Sequence, residues 1–259
     1  MYDGKSFYIW LNTTIFMIEN KGVRINKFLS EAGFCSRREA DKLIDKNRVK
    51  INGKVPLIGT KVMPGDRVSV DNKDIKSKKD KFIYIAFNKP KGIVCTTDTK
   101  REKNNIIDFI NYPKRIFPIG RLDKPSEGLI FLTSDGDMVN KILRASNHHD
   151  KEYIVSVDKA INNDFIAKMS NGIPVLGTVT KKCKVQKLAS RKFKIVLTQG
   201  LNRQIRRMCE HLGYHVKELK RVRIMNINLD MKVGEWRYFT KKELLEINKT
   251  LKTSSKTSK

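Results

Sequence analysis

The sequence predicts an α+β protein in two parts: a small helix-helix-strand module, then a larger domain with a mixed, largely antiparallel sheet and flanking helices. Three observations carry this expectation. Two short apolar helical stripes, the second opened by a capping-box signature, precede short strands punctuated by Asn-Gly and Pro-Gly. A charged, aperiodic tract, NKDIKSKKDK at residues 72 to 81, then interrupts the pattern. Beyond it, strand-like runs outnumber helical ones and lie close together in the chain, which favours antiparallel neighbours.

In RINKFLSEAG (residues 24 to 33), Ile25, Phe28, Leu29 and Ala32 fall at i, i+3, i+4 and i+7, the buried stripe of a short helix that Gly33 is suited to end. Ser36-Arg37-Arg38-Glu39 fits the S-x-x-E box, in which two side chains satisfy free amides of the next helix's first turn. Ala40, Leu43 and Ile44 form that helix's apolar face. Arg37, Arg38 and Lys42 fall off it and point to solvent. VKINGKV (49 to 55) reads as strand, turn, strand, and MPGDRVSVD (63 to 71) as a turn and a further strand. The module is expected over residues 21–76, after an N-terminal extension, 1–20, outside the fold. Within it, FYIWLNTTIFMI has neither a basic leader nor a small-residue cleavage site, so residues 1 to 16 are expected to lie upstream of a native start at Met17. The linker is placed at 77–81.

The second domain is expected over residues 82–249. FIYIAFNKPKGIVCTT (82 to 97) reads as strand, turn, strand; GLIFLT (128 to 133) as a buried strand; DMVNKILRA (137 to 145) as a helix capped by Asp137. EYIVSVD, KCKVQKL and KFKIVL follow as strands at 152 to 158, 182 to 188 and 192 to 197, and NRQIRRMCEHL (202 to 212) as a helix. Residues 250–259, with no apolar pattern, read as a disordered tail.

Charge narrows the function. Lys and Arg total 54 against 27 acids, a net +27, which calls for a polyanionic partner. No apolar run reaches the length of a membrane span, so nucleic acid is favoured over a membrane. Cys35, Cys95, Cys183 and Cys209 include no C-x-x-C pair, against a zinc ribbon or disulfide framework and for reduced cytosolic thiols. His148 and His149 read as a solvated loop, and no metal is expected. With no phosphate-cradling or dinucleotide motif, any chemistry must run on side chains.

The basic charge is concentrated: residues 177 to 223 hold 14 Lys/Arg and only two acids, Glu210 and Glu218. Within this tract GLNRQIRRMCEHLGY places Ile205, Met208, Cys209 and Leu212 on one side and Arg203, Arg206, Arg207 and Glu210 elsewhere. By itself that is an amphipathic helix with a wet basic face. If Arg206 reached the distant Asp123 in FPIGRLDKPSEGLIFLTSDGD, the pair would hold the carboxylate ionised and fix its rotamer. Alone, Asp123 is either a turn residue or a reagent, and Tyr153 in EYIVSV reads as a strand residue packing into a core.

GRLDKPSEGLIFLTSDGD, KEYIVSV, GTVTKKCKV and GLNRQIRRMCEHLGY together closely resemble the RsuA/RluB/RluE/RluF family of pseudouridine synthases, isomerases of uridine in RNA. VNKILRASNHHDKEYIVSVDKAI and GTVTKKCKV are most similar to its RluF type. The resemblance runs from about residue 23 to residue 247, and the order SRREADKLI…VKINGK resembles an S4 (α-L) RNA-binding domain, which reads structured RNA by shape and phosphate contacts. The resemblance implies Asp123 as the catalytic aspartate, Tyr153 as the active-site tyrosine, Arg206 as the aspartate's partner and Arg121 as the adjacent arginine. Arg37, Arg38, Lys42, Arg203 and Arg207 join Arg121 as expected RNA contacts. It also implies a cofactor-free, base-flipping reaction on a uridine of 23S ribosomal RNA, with a tyrosine tRNA as a second candidate substrate; the thiols point to the cytoplasm, and with no heptad or surplus apolar stripe in the sequence a monomer is expected. RluF-type relatives can carry a long basic C-terminal extension where this sequence has a short Ser/Thr/Lys tail, so substrate choice is expected either to be altered or to rest more on the S4 domain. Two other classes compete: a non-enzymatic RNA-binding or ribosome-assembly factor, in which Asp123 only shapes a turn, and a DNA-binding regulator, for which no recognition helix or dimer signal is present.

Overall fold

The computed structural model describes residues 22–76, 82–143 and 149–254. Two compact units divide the chain between Lys78 and Lys79. The expected extension at 1–20 with its Met17 start, the linker at 77–81, residues 144 and 145 of the fourth helix, His148, and the end of the tail at 255–259 lie outside the described residues.

The first unit contains β1 (Val23–Arg24), α1 (Ile25–Glu31), α2 (Arg37–Asp45), β2 (Val49–Ile51), β3 (Lys61–Val62), β4 (Val68–Val70) and β5 (Lys73–Ile75). The capping box forms as its residue types require: Ser36 Oγ accepts from the Glu39 N–H at 3.1 Å while Glu39 reaches back to the Ser36 N–H. Ile25 and Leu29 from α1 meet Ala40 and Ile44 from α2 over Val49, Val68 and Val70, a core closed by the antiparallel β2-β4-β5 sheet and the β1-β3 pair. The hairpin expected at VKINGKV does not form. Asn52 and Gly53 adopt the positive φ values of 51° and 81° that a tight turn needs, but the return leg is a single bridge from Ile51 to Lys54. Pro56, with no N–H to give, follows two residues later, and β2 takes β4 as its ladder partner.

The second unit runs β6 (Tyr84–Lys89), α3 (Ile106–Ile110), β7 (Phe117–Ile119), β8 (Glu127–Thr133), α4 (Gly136–Leu143), β9 (Lys151–Val157), α5 (Asn163–Asn171), β10 (Pro174–Val175), β11 (Thr178–Val179), β12 (Lys184–Ala189), β13 (Lys192–Leu197), α6 (Gln204–His211), β14 (Val216–Ile224), β15 (Ile227–Asn228), β16 (Trp236–Tyr238) and α7 (Lys241–Ser254). A nine-stranded mixed sheet orders its strands β12-β13-β9-β14-β8-β6-β16, with β15 on β14 and β7 on β8. Its pairings are antiparallel apart from β14 with β8. Both faces of β8 are covered, which is why it reads as an unbroken apolar run: Leu129 and Phe131 pack with Met138, Ile142 and Ile247, while Ile130 and Leu132 pack with Ile85, Ile106 and Leu122.

Three expectations for this unit are corrected. GIVCTT is not a strand; Val94 makes an isolated parallel bridge to Asn105, and the segment becomes a loop over β6 and α3. Asp135, not Asp137, caps α4, since its carboxylate accepts from the N–H groups of Asp137 and Met138 at 2.9 and 3.1 Å. Residues 250–254, expected in a disordered tail, belong instead to α7, which continues to Ser254 with Leu251, one turn after Ile247, buried in the core.

Candidate active site

Asp123 lies in the loop between β7 and β8, ahead of the parallel junction of β8 with β14. The junction explains the local sequence. Gly128 pairs with Arg221 at φ +108°, and a Cβ there would stand 2.3 Å from the Arg221 carbonyl oxygen, so only glycine lets the two backbones meet. The loop is pinned around Asp123: the Gly92 N–H donates to the Lys124 carbonyl at 2.8 Å, and the Leu122 N–H to Cys95 Sγ at 3.3 Å. Ser126 N–H donates to the Asp123 carbonyl at 3.0 Å, so the residue does shape a turn.

It also faces a cation. Asp123 Oδ2 is 3.8 Å from Arg206 Nε, an ion-pair distance too long for a hydrogen bond. Arg206 Nη2 donates to Ser126 Oγ at 3.1 Å and Nη1 to the Val216 carbonyl at 3.3 Å. Arg206 is 8% exposed, so the expected wet basic face is corrected. Five of the residues of α6, Gln204, Ile205, Arg206, Met208 and Cys209, are buried, because the helix is covered by core on one flank and by the Asp123 loop on another. Burial pushes the Arg206 pKa down, with the Asp123 charge pulling the other way.

Tyr153, half-buried on β9, packs against both apolar clusters that meet at the site. With Asp123 it lines a cleft of about 930 Å³, into whose wall Arg121, Lys151, Arg203 and Arg221 also enter. An adjoining recess of about 90 Å³ brings Asp123, Tyr153, Ser126 and Arg206 together with the apolar Leu197 and Leu219. The structure therefore gathers Asp123, Tyr153, Arg206, Arg121 and Arg203 at one site, with Arg207 half-buried on the same helix. Arg37, Arg38 and Lys42 stand exposed on α2 of the other unit.

Sequence reasoning missed several residues here. Ser126, fully buried, is the link between the Asp123 turn and Arg206. Lys89 has no exposed surface, and its ammonium donates to the Pro90 and Ile93 carbonyls at 2.8 and 2.9 Å, holding the turn that carries Gly92; burial lowers its pKa. Arg221 is 4% exposed and lies against Tyr153. Nothing in a tract so rich in Lys and Arg marks the ones that are buried. His149, expected in a solvated loop, is instead buried. Among the described residues, no three His, Cys, Asp or Glu side chains are grouped to hold a metal ion, and no helix is long and apolar enough to cross a membrane.

The sequence matches the family model for RNA pseudouridylate synthase over residues 83–211 and that for the S4 domain over residues 23–76. It is 56% identical over 241 residues to the dual-specificity RNA pseudouridine synthase RluF of Escherichia coli (strain K12), covering 92% of this chain and 83% of that relative. With the ribosomal large subunit pseudouridine synthase B of Bacillus subtilis (strain 168) it shares 34% identity, covering 85% of this chain and 93% of the other. A pseudouridylate synthase crystal structure aligns with a TM-score of 0.63 at 29% identity, over 88% of this chain and 99% of that one.

Proposed function

This chain belongs to the RNA pseudouridine synthase family and isomerises uridine to pseudouridine in RNA, and we propose that Asp123 is its catalytic carboxylate, served by Tyr153 and Arg206. The observation that carries this reading is the pairing of Asp123 with a buried arginine from α6 in a cleft that also presents Tyr153. A carboxylate that only shaped a turn would have no use for a buried cation that also binds Ser126 of the same loop through Nη2.

The reaction breaks the C1′–N1 bond of uridine, turns the freed uracil, and forms C1′–C5; C5 gives up its proton and N1 gains one. Nothing is oxidised and no group leaves, so the chemistry calls for no cofactor. The ionised Asp123 either attacks C1′ as a nucleophile or removes a sugar proton to give a glycal. Arg206 faces the carboxylate and aims it in both routes. Tyr153 supplies a ring for the detached base to stack on and a hydroxyl for proton handling. Reaching C1′ in folded RNA requires the nucleotide to leave its stack, at a cost of a few kcal/mol, which phosphate contacts must offset. Arg121 and Arg203 at the cleft, Arg207 beside it, and Arg37, Arg38 and Lys42 on the S4 domain are the residues assigned to those contacts.

For the substrate, we read a uridine of 23S ribosomal RNA, with a tyrosine tRNA as a second target; the dual-specificity name of the relative at 56% identity supports two targets. We read the working protein as a cytoplasmic monomer, since the sequence shows neither metal nor disulfide spacing among its thiols nor a heptad pattern for a partner. Pseudouridine mapping of ribosomal RNA and tRNA from the native host, with and without the gene, tests the substrate. A mark lost at one position of 23S RNA and one of tyrosine tRNA is expected. Loss of neither would overturn the assignment.

A further inference from the structure

Arg221 is the least explained charge near the site. The residue is 4% exposed, yet its buried Nη2 has no hydrogen-bond partner among the described residues. Nε is committed, donating to the Leu129 carbonyl of β8 at 2.6 Å. In the β14-β9 ladder Arg221 stands opposite Tyr153, and its guanidinium carbon is 6.0 Å from the centre of the Tyr153 ring, within reach of a cation–π contact. In the parallel pairing its backbone meets Gly128, the residue that admits no side chain. Burying a cation without full pairing is costly, and an apolar side chain would fill the same space without the penalty. The β14-β9 ladder is irregular at this point, with a register shift between Arg221 and Arg223.

These contacts join three strands at one side chain. Leu129 sits in β8, six residues after Asp123, and Tyr153 sits in β9, where it lines the same cleft as Asp123 and Arg221. We propose that Arg221 is a positioning residue for the isomerisation: it fixes the pose of the Tyr153 ring relative to Asp123 by bracing that ring from a guanidinium anchored on the Leu129 carbonyl. Lysine cannot replace it, since an ammonium has no planar fork to bond the carbonyl while lying against a ring. The inference rests on the reading of Tyr153 as an active-site residue.

A double-mutant cycle on the full chain tests it, with single-turnover rate and RNA affinity measured for wild type, Arg221→Lys, Tyr153→Phe and the double variant. Small misplacements of reacting groups are expensive, so Arg221→Lys is expected to slow the wild-type rate by about tenfold or more, at unchanged RNA affinity. In the Tyr153→Phe background, where the hydroxyl to be placed is gone, the same change is expected to cost less than about threefold. Equal losses in both backgrounds, a loss of affinity alone, or no loss would overturn the role of Arg221 while leaving Tyr153 in place. A Tyr153→Phe variant with the wild-type rate would instead remove the reading on which the inference rests. Should Arg221→Lys not fold, Arg221→Met, which fills the volume without charge, takes its place in the cycle. A fluorine resonance from 3-fluorotyrosine at position 153 gives a readout that bulk stability does not move: it is expected to shift in the Arg221 variant, and an unchanged resonance would overturn the proposal.

Discussion

The two units treat charge in opposite ways. In the S4 unit the strongest ion pairs are on the outside: Arg67 Nε lies 2.8 Å from Asp74, Arg48 Nε 2.8 Å from Asp71, and these pairs lower the carboxylate pKa values through hydrogen bonds made at the surface. In the catalytic unit the decisive cations are inside. Lys89, Arg206 and Arg221 are buried, and their hydrogen bonds go to carbonyls and one serine hydroxyl rather than to tightly held carboxylates. Exposed pairs are screened by salt and contribute little to stability. Buried cations cost desolvation and survive where a geometry depends on them. The difference separates the surface that binds from the site that reacts.

The largest expected effect comes from breaking the buried side. Arg206→Met keeps the volume but removes the cation beside Asp123 and the donor to Ser126, so single-turnover rate should fall about 10²-fold or more, as for loss of a preorganised electrostatic contact. RNA affinity measured on the same variant should stay close to wild type; a parallel loss of affinity would move Arg206 to the binding surface. Next in size is the junction that aims the loop. Gly128→Ala combines a positive φ with a Cβ driven into the Arg221 backbone, and thermal or urea unfolding should show a loss of about 3 kcal/mol. An unchanged midpoint would mean that β8 and β14 can part without consequence. Smallest is the exposed side: Arg48→Gln should leave the melting temperature unchanged within error, and a clear drop would erase the contrast between the units.

Much of the S4 unit was legible because its signals are local. A capping box, an apolar stripe and turn residues act within a few positions, and the Ser36–Glu39 cap and the Ile25–Leu29 stripe formed as read. The hairpin at Asn52-Gly53 failed for a non-local reason, β4 being a better partner for β2 than the residues after the turn. In the catalytic unit the long apolar strands were readable, but β14 was not, since VKELKRVRI has too many charges to look like the centre of a sheet. The same residues hide the site's supports. Asp123, Tyr153 and Arg206 are proposed on the family resemblance, whereas Ser126, Lys89 and Arg221 stand out only through burial and through partners 80 or more residues away, or through a turn visible only in three dimensions. Arg206 itself shows the limit of helical periodicity: a helix covered on two flanks buries its polar side as well as its apolar one.

The most direct test of the account is the Asp123→Asn variant, nearly equal in shape, assayed in vitro for pseudouridine formation and for RNA affinity across salt concentrations. The account predicts that pseudouridine formation is abolished while affinity and its salt dependence match wild type. Retained turnover would contradict it, and would leave Asp123 as a residue that only closes a turn.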